Sequence, residues 1–201
     1  MSAQRVRLPA EARRAALVDA GLRAFAEGSY AGATTAEIAR EAGVSEPILY
    51  RHFAGKRELY FACLEEAWAR LRTSIEEVVA QEEDPREWPV AAAKAVRQLR
   101  DRRTLPLHIW IQALGKAGDD PEIRRYLRRH IAEVHAFFAD LIRKAQAAGG
   151  VPADRDPEAE AWVNLGIGLL RSVHMRLGGP LDEDDFQAIA ASRRAWLTGT
   201  A

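Results

Sequence analysis

The sequence predicts an all-α protein of roughly nine helices, with a small N-terminal domain and a larger C-terminal helical bundle. Apolar residues recur at steps of three and four along most of the chain, and no stretch alternates as a strand would. Gly and Pro stand between these periodic stretches, where helices end and begin. Near the N-terminus a glycine turn separates two short helices. We place the domain boundary so that the domains span residues 1–55 and 56–201, and the start of the helix at 56–80 closes the first domain.

The composition is that of a soluble globular protein. Of 201 residues, 48% are hydrophobic and 29% are charged, which is enough to bury a core. The 29 basic and 29 acidic residues balance, so net charge alone does not attract nucleic acid. The balance does not exclude a local basic surface that binds a specific DNA sequence. A single cysteine excludes an internal disulfide and suits a reducing compartment. Because no apolar run has the length of a membrane span or of a signal peptide's core, we expect a cytoplasmic protein with no membrane partner.

The first predicted helix begins at Pro9, has Glu11 in its first turn and ends at Gly28. Residues 1–8 before it are expected to be disordered. One buried stripe runs along this helix, formed by Leu17, Ala20, Gly21, Ala24 and Phe25. A group of basic residues near its start has two interpretations. These residues either contact DNA, at the phosphates or in the minor groove, or they form a solvated basic end. The group comprises Arg5, Arg7, Arg13 and Arg14.

The segment that begins at Thr34 has the pattern of a helix-turn-helix. Thr34 is predicted to cap the first short helix, and Glu37 completes a capping box three residues later. Gly43 ends that helix, because glycine adopts the left-handed conformation at little cost. Ser45 is predicted to cap the second short helix, and Pro47 fits its first turn, where a missing N–H costs nothing.

The same segment resembles the DNA-binding segment of TetR-family transcriptional regulators, whose pattern is IA..AGVS...LY.HF..K..L. The matching positions are Ile38-Ala39, Ala42-Gly43-Val44-Ser45, Leu49-Tyr50, His52-Phe53, Lys56 and Leu59. The resemblance implies a three-helix DNA-binding domain whose second short helix reads double-stranded operator DNA. Pro47 departs from the pattern, since many members carry glycine there. Its rigid apolar surface suits a thymine methyl, so the operator cannot be inferred from relatives.

By position, the resemblance implies two kinds of DNA contact. Hydroxyl, imidazole and cationic groups suit phosphate oxygens. The phosphate candidates are Thr34, Thr35, Ser45, Tyr50, His52 and Lys56, with Arg40 and Arg51 as further ones. Base edges are expected to meet Glu46, Pro47 and Leu49, with Glu46 accepting from a cytosine amine. Two alternatives stay open, that Tyr50 mainly packs the small domain and that Leu49 belongs to its core.

The remaining helices are separated by polar breaks that contain glycine or proline. The helix from Lys56 is a candidate lever between the domains, and its Cys63 is either a core residue or a redox sensor. Residues 81–89 are predicted to form a loop with an adjustable hinge. The helix at 105–116 is apolar nearly all round, which predicts burial. The predicted helices span 56–80, 90–103, 105–116, 121–148, 157–177 and a last stretch from Asp182 or Asp184 to Trp196.

The last two helices carry an apolar face that suits a dimer interface. Its members are Trp162, Leu165, Gly166, Leu169, Leu170, Val173, Ile189 and Trp196. Gly166 and Gly168 each cost up to ~1 kcal/mol within a helix, which close approach of another helix would offset. In a monomer the same face would be internal packing. The resemblance implies a homodimer formed by these helices, in which two recognition helices read the half-sites of a palindrome.

Polar and aromatic residues that interrupt the apolar helices mark a candidate pocket. Each of them alone is more often a core or surface residue, but the resemblance implies that some line a cavity for a small-molecule effector. The aromatic members suit an apolar or aromatic molecule, and the polar members could fix its orientation. The candidates are His108, Trp110, Gln112, Tyr126, His130, Phe137, Trp162, Asn164, Arg171 and Met175.

The leading hypothesis is a ligand-responsive transcriptional regulator, most simply a repressor that the effector releases from its operator. An enzyme is disfavoured because the chain has no HExxH, no CxxC pair, no phosphate-binding glycine loop and no nucleophile motif, and no cofactor is expected. His130 and His135 are spaced poorly for binding a metal on one helical face. A third class is a helical binding module that has lost its operator, against which the intact Tyr50, His52 and Lys56 argue.

Overall fold

The computed structural model describes residues 9–28, 30–101, 107–179 and 181–199. Within these ranges the chain forms nine α-helices and no strand, which confirms the predicted all-α class. Arg5 and Arg7 lie outside the described residues, as do the side chains of 97–101, 107–108 and 175–176. The helices are α1 (Ala10–Glu27), α2 (Thr35–Glu41), α3 (Glu46–His52), α4 (Lys56–Ala80), α5 (Trp88–Asp101), α6 (Leu107–Ala117), α7 (Pro121–Ala147), α8 (Pro157–Leu177) and α9 (Glu183–Thr198).

The helices divide into two compact units, Met1–Ala67 and Trp68–Ala201. Helix α4 begins in the first unit and continues into the second. The division falls within α4, later than residue 55, and the start of α4 belongs to the small unit, as we expected of the helix that closes it. The reason is that Leu59 and Tyr60, near the start of α4, are fully buried in the small unit.

Aromatic rings form the centre of the small unit. Phe25 and Tyr60 meet edge to face with ring centroids 4.9 Å apart, and Tyr30 lies 4.8 Å from Tyr60. Each such pair contributes about 0.5–1.5 kcal/mol beyond the burial of its area. The short helices add Ile38 and Leu49, both fully buried. This core fixes α2 and α3 against α1.

Cys63 is a core residue. Its side chain is fully buried, and its thiol donates to the backbone oxygen of Val18 across 3.5 Å. Reactive cysteines are solvent-accessible and lie in electropositive surroundings. The burial therefore decides between the two interpretations of this residue in favour of packing.

A close approach of α1 and α4 makes Gly21 sensitive to substitution. A Cβ atom at Gly21 would lie 2.8 Å from Sγ of Cys63 and 3.5 Å from a methyl of Leu59. We expect Gly21→Ala to lower the free energy of unfolding by about 1–3 kcal/mol, the usual cost of overpacking. Denaturant titration measures the loss. Most of it should disappear in a Cys63→Ala background, and an equal loss in both backgrounds would contradict this steric explanation.

The larger unit is built around α7. Helices α6 and α8 pack along it, and α5 packs on α9. Aspartates start three of these helices, since Asp120, Asp156 and Asp182 accept hydrogen bonds from the first-turn N–H groups of α7, α8 and α9. Asp182 rather than Asp184 precedes the last helix, which continues to Thr198. No helix among the described residues is long and apolar enough to cross a membrane.

The segment 81–89, predicted as a loop, is only partly irregular. The segment contains a 3₁₀ turn, Pro85–Glu87, and helix α5 already begins at Trp88. Trp88 Nε1 donates to the backbone oxygen of Glu82 at 3.0 Å. A Cβ atom at Gly150 would lie 2.4 Å from the carbonyl of Pro85, so the chain after α7 packs tightly on this turn. Tertiary contacts hold a segment that composition alone marks as a loop.

The prediction that α6 is buried all round is also wrong. Ile109 and Ala113 are buried, whereas Leu114, Gly115 and Lys116 are exposed. Helices α7 and α8 pack against α6 and leave Leu114, Gly115 and Lys116 uncovered. An apolar sequence does not force burial when the neighbouring helices cover only one side.

Candidate functional site

Local hydrogen bonds fix both the start of α2 and the turn between α2 and α3. The hydroxyl of Thr34 accepts from the N–H of Glu37, while the Glu37 carboxylate accepts from the N–H of Thr34 and completes the predicted capping box. These hydrogen bonds from Thr34 lower the pKa of Glu37. Gly43 has φ +71°, and the N–H of Val44 reaches back to the oxygen of Ala39 at 3.0 Å. A side chain would strain this left-handed position, so the glycine sets the angle between the two helices.

Helix α3 exposes one side and buries the other. Pro47, Tyr50 and Arg51 are exposed at helical spacing, and Ser45 is exposed just before them. We refer to these four residues as the α3 face. Leu49 is 0% exposed, so the prediction that it meets a base edge is wrong and the alternative, a core residue, is correct. Ser45 occupies the N-cap position without the predicted side-chain cap hydrogen bond, which leaves its hydroxyl on the α3 face.

A hydrogen-bonded group beside this face joins the two short helices. Oγ1 of Thr35 donates to Oε1 of Glu46 at 2.6 Å, and the hydroxyl of Tyr50 lies 3.2 Å from the same Oγ1. Thr35 and Glu46 are half-buried. The carboxylate predicted to accept from a cytosine amine is thus held by a residue of its own chain. No sequence pattern indicated this contact, because the two residues lie on different helices.

Lys56 is tied to the loop that precedes α2. Its Nζ donates to the backbone oxygen of Ala33 at 2.8 Å and to that of Ala31 at 3.4 Å, and it lies 4.8 Å from the ring centroid of Tyr30. Burial lowers the pKa of this ammonium group. Two of its three N–H donors therefore serve the fold, which leaves one for a phosphate. His52, another predicted phosphate contact, is half-buried.

Arginines of α1 and α2 add positive charge near the short helices. Arg14 is exposed, and its guanidinium lies 5.1 Å from the ring centroid of Phe53, the residue that ends α3. Arg40 of α2 is exposed as well. Arg23 pairs with Glu41 and so links α1 to α2. The geometry thus brings Arg14, one of the four N-terminal arginines, close to the end of α3.

An apolar stripe stays exposed along α8. Its members are Val163, Gly166, Leu170, Val173 and Leu177, which we name the α8 stripe. The alternating steps of three and four residues are those of a coiled-coil seam. Leu165 and Leu169, predicted for the interface, are half-buried. Val163 and Leu177 were not predicted, although the seam spacing was a signal that could have found them.

A buried carboxylate fastens α9 to α8. Glu160 is buried, accepts from Nε1 of Trp196 at 2.7 Å and pairs with Arg193. Arg155 stacks on the indole of Trp196, 3.8 Å from its centroid. Half of the Trp196 surface is still exposed, and Ile189 is half-buried. Glu160 was not predicted, because a single glutamate on a helix is usually at the surface.

Three of the predicted pocket residues meet in an aromatic cluster of the larger unit. Tyr126 and His130 stack with ring centroids 5.7 Å apart. Trp68 lies edge to face with Phe137 at 5.3 Å and with His130 at 6.4 Å. Nε1 of Trp68 donates to Oε1 of Glu133 at 3.1 Å. Trp68 lies on α4 and was not predicted, because a tryptophan in a long helix gives no sign of which partner it meets.

The other predicted pocket residues have different surroundings. Trp162 is 51% exposed and stacks on His135 at 4.2 Å, so its assignment to an interior pocket is wrong. Arg171 lies 4.3 Å from the ring centroid of Phe186. Three are half-buried, namely Trp110, Gln112 and Asn164. The side chains of His108 and Met175 fall outside the described residues.

His130 makes the larger unit sensitive to acid. Burial lowers the pKa of its imidazole, with a smaller opposing effect of Glu133. The unfolded chain therefore binds more protons than the folded one below the ordinary pKa of histidine, and stability falls as the pH falls. We expect the free energy of unfolding to drop between about pH 7 and about pH 5, and to drop less in His130→Phe. Denaturant titration at both pH values checks this, and an equal drop in both proteins would contradict it.

Two family descriptions cover most of the described chain. Residues 17–63 match the family described as bacterial regulatory proteins, tetR family. Residues 85–195 match the family described as BetI-type transcriptional repressor, C-terminal. The first match contains α2, α3 and their turn, and the second contains the aromatic cluster except for Trp68.

Curated relatives match over part of their length. The HTH-type transcriptional activator FasR of Mycolicibacterium smegmatis is 38% identical over 89 residues, which are 44% of this chain and 41% of that protein. The HTH-type transcriptional regulator BetI of Rhizobium meliloti is 30% identical over 115 residues, 57% of each chain. BetI of Brucella anthropi is 29% identical over 125 residues, 62% of this chain and 64% of that protein. The chain thus spans less than two thirds of the length of these relatives.

Solved structures share the fold along nearly the whole chain. A TetR-family regulator from Rhodococcus sp. has a TM-score of 0.80 at 24% identity and covers 93% of this chain and 99% of its own. FadR from Bacillus subtilis, solved in complex with stearoyl-CoA, has a TM-score of 0.72 at 15% identity. The match covers 93% of this chain and 99% of the FadR chain. The matching relatives reported above are described as transcriptional regulators or an activator, and none of them as an enzyme. Because the C-terminal match alone spans more than half of the residues, this chain belongs to the TetR family of bacterial regulatory proteins.

Proposed function

We propose that this protein is a sequence-specific DNA-binding repressor that acts in the cytoplasm as a homodimer and leaves a palindromic operator when a small molecule binds. The α3 face carries the proposal, because α3 exposes Pro47, Tyr50 and Arg51 while Leu49 anchors the helix in the core. A short helix held in this way is suited to the major groove. The BetI-type repressor match favours repression, although the relative FasR is an activator.

Exposed cations and hydroxyls of the small unit supply the phosphate contacts in this proposal. Arg40 and Arg51 are exposed, as is the hydroxyl-bearing Ser45. Pro47 is then the residue placed to touch a base edge, most simply a thymine methyl. Each phosphate that a cation neutralises releases counterions, so affinity should fall steeply as salt rises.

Two copies pair through the α8 stripe and the exposed surface of α9. In one copy Leu170, Val173 and Leu177 face water, an apolar arrangement that a two-fold partner would cover. Among the described residues, and apart from the adjoining residues and backbone of α8 itself, no atom lies within 4 Å of a Cβ built at Gly166, so there is room for a helix of the second copy. Glu160 and Arg193 hold α9 in place on α8, which keeps the surface for pairing rigid.

The effector binds at the aromatic cluster of the larger unit in this proposal. Trp68, Tyr126, His130 and Phe137 suit an apolar or aromatic molecule. Because Trp68 belongs to α4, a ligand that displaces its ring moves the helix that continues into the small unit. The resulting change in spacing between two α3 faces is expected to link effector binding to DNA binding, with a coupling free energy of about 1–3 kcal/mol.

Selection of bound DNA from a random pool at physiological salt tests the proposal. We expect a palindrome whose half-site spacing gives the distance between the two α3 faces. Stearoyl-CoA, the molecule in the FadR structure, is a first probe for release of the recovered site. Failure to enrich any sequence, with and without cell extract as a source of effector, would overturn the proposal.

A further inference from the structure

Glu46 is the first residue of α3 and lies beside the α3 face, which we propose binds DNA. The role inferred for Glu46 rests on that proposed function. Its Oε1 accepts the 2.6 Å hydrogen bond from Oγ1 of Thr35, and Oγ1 lies 3.2 Å from the hydroxyl of Tyr50. Tyr50 is 52% exposed, whereas Thr35 and Glu46 are half-buried. The three groups form a series from the surface inward, which we name the hydroxyl chain.

The number of protons fixes the direction of these hydrogen bonds. A carboxylate only accepts, and each hydroxyl has a single proton to donate. Thr35 gives its proton to Glu46, so Tyr50 must be the donor in its contact with Thr35. Both hydroxyl protons therefore point inward along the chain, and neither is directed at an acceptor outside the protein.

DNA phosphates need the same protons. Phosphate oxygens accept hydrogen bonds, so Thr35 or Tyr50 binds a phosphate only after its proton turns away from the hydroxyl chain. A hydrogen bond to a carboxylate is roughly twice as strong as one between neutral groups. The carboxylate of Glu46 therefore holds the Thr35 proton firmly, and through Thr35 it orders the Tyr50 hydroxyl.

We propose that Glu46 sets the DNA affinity of this protein by competing with phosphates for the hydroxyl protons of Thr35 and Tyr50. The competition acts on backbone contacts, which carry no sequence information. It therefore weakens binding to every sequence by about the same factor and leaves the preference among sequences to base contacts such as that of Pro47. Glu46 is in this sense a positioning residue that sets affinity through two others, and not the base-reading residue predicted from the sequence.

The substitution Glu46→Gln removes the charge and keeps the shape of the side chain. We expect the affinities for a labelled duplex of mixed sequence and for the selected site to rise by the same factor of about five to ten, so that the preference for the selected site is unchanged. Fluorescence anisotropy at several salt concentrations measures both. The matched control is Glu77→Gln, which makes the same charge change at an exposed site of α4 in the larger unit and should alter neither.

A background without the two hydroxyls tests the competition itself. In Thr35→Val/Tyr50→Phe, the substitution Glu46→Gln should lose most of its effect, while circular dichroism shows that each variant is folded. A gain of full size in that background would mean simple charge repulsion and would overturn the proposal. Unchanged affinity in Glu46→Gln, or a loss confined to the selected site, overturns it as well. If the wild-type protein binds no duplex at all, the proposed function fails, and this inference fails with it.

Discussion

Replacing Leu170 with glutamate will convert the proposed dimer to monomers and lower the affinity for a palindromic operator about 10²–10⁴-fold. Leu170 lies at the middle of the α8 stripe and is 40% exposed in a single copy. The new charge therefore costs the single chain little, but pairing would bury it without a partner. Once the copies separate, each half-site is bound independently, and the effective concentration of the second α3 face is lost. Sedimentation velocity gives the molecular mass, and fluorescence anisotropy gives the affinity.

Ala136→Glu is the matched control for this experiment. Ala136 is exposed on α7 and lies outside the α8 stripe, so the same charge there should leave mass and affinity unchanged. A Leu170→Glu protein that stays dimeric would show that the stripe is not the interface. A monomer that keeps full affinity would show instead that the two half-sites are not read together.

Truncating Leu49 to alanine will lower the free energy of unfolding of the small unit by about 2–5 kcal/mol. The side chain is fully buried in the core that α1, α2 and α3 share. Its removal leaves a cavity that the short helices cannot fill without moving, and the α3 face moves with them. DNA affinity should therefore fall together with stability, which denaturant titration and anisotropy measure on the same samples.

Pro47→Ala, two positions earlier on the same helix, separates packing from recognition. Pro47 is exposed, so its loss should change the unfolding free energy by no more than about 1 kcal/mol. The selected DNA sequence should change, because the apolar surface offered to a base edge is smaller. A large stability loss in Pro47→Ala, or a negligible one in Leu49→Ala, would mean that the two sides of α3 have been assigned the wrong way round.

Features decided by sequence neighbours were predictable from the sequence. The capping box of Thr34 and Glu37 needs only three residues of one helix start, and Gly43 needs only a left-handed position after it. Asp120 caps its helix for the same local reason. The pattern of α2 and α3 also sufficed to indicate the family, because its matching residues lie within a single continuous segment.

Features decided by which side of a helix is covered were not predictable in the same way. Leu49 and Pro47 both belong to the recognition segment, and only packing against α1 and α2 shows that one is core and the other exposed. Trp162 is a large aromatic residue whose type favours burial, yet half of its surface is exposed. A helical pattern gives the relative angles of side chains but not the position of the neighbouring helix.

The sequence by itself determined the all-α class, most of the helix starts and stops, the helix-turn-helix and, through it, the family. Only the tertiary structure decided that Glu46 is bound by Thr35, that Lys56 holds the loop before α2, and that Trp68 joins the cluster on α7. Helix formation depends on hydrogen bonds and side chains a few residues apart, so it can be read along the chain. Contacts between side chains on different helices depend on how those helices pack, and no local pattern contains that information.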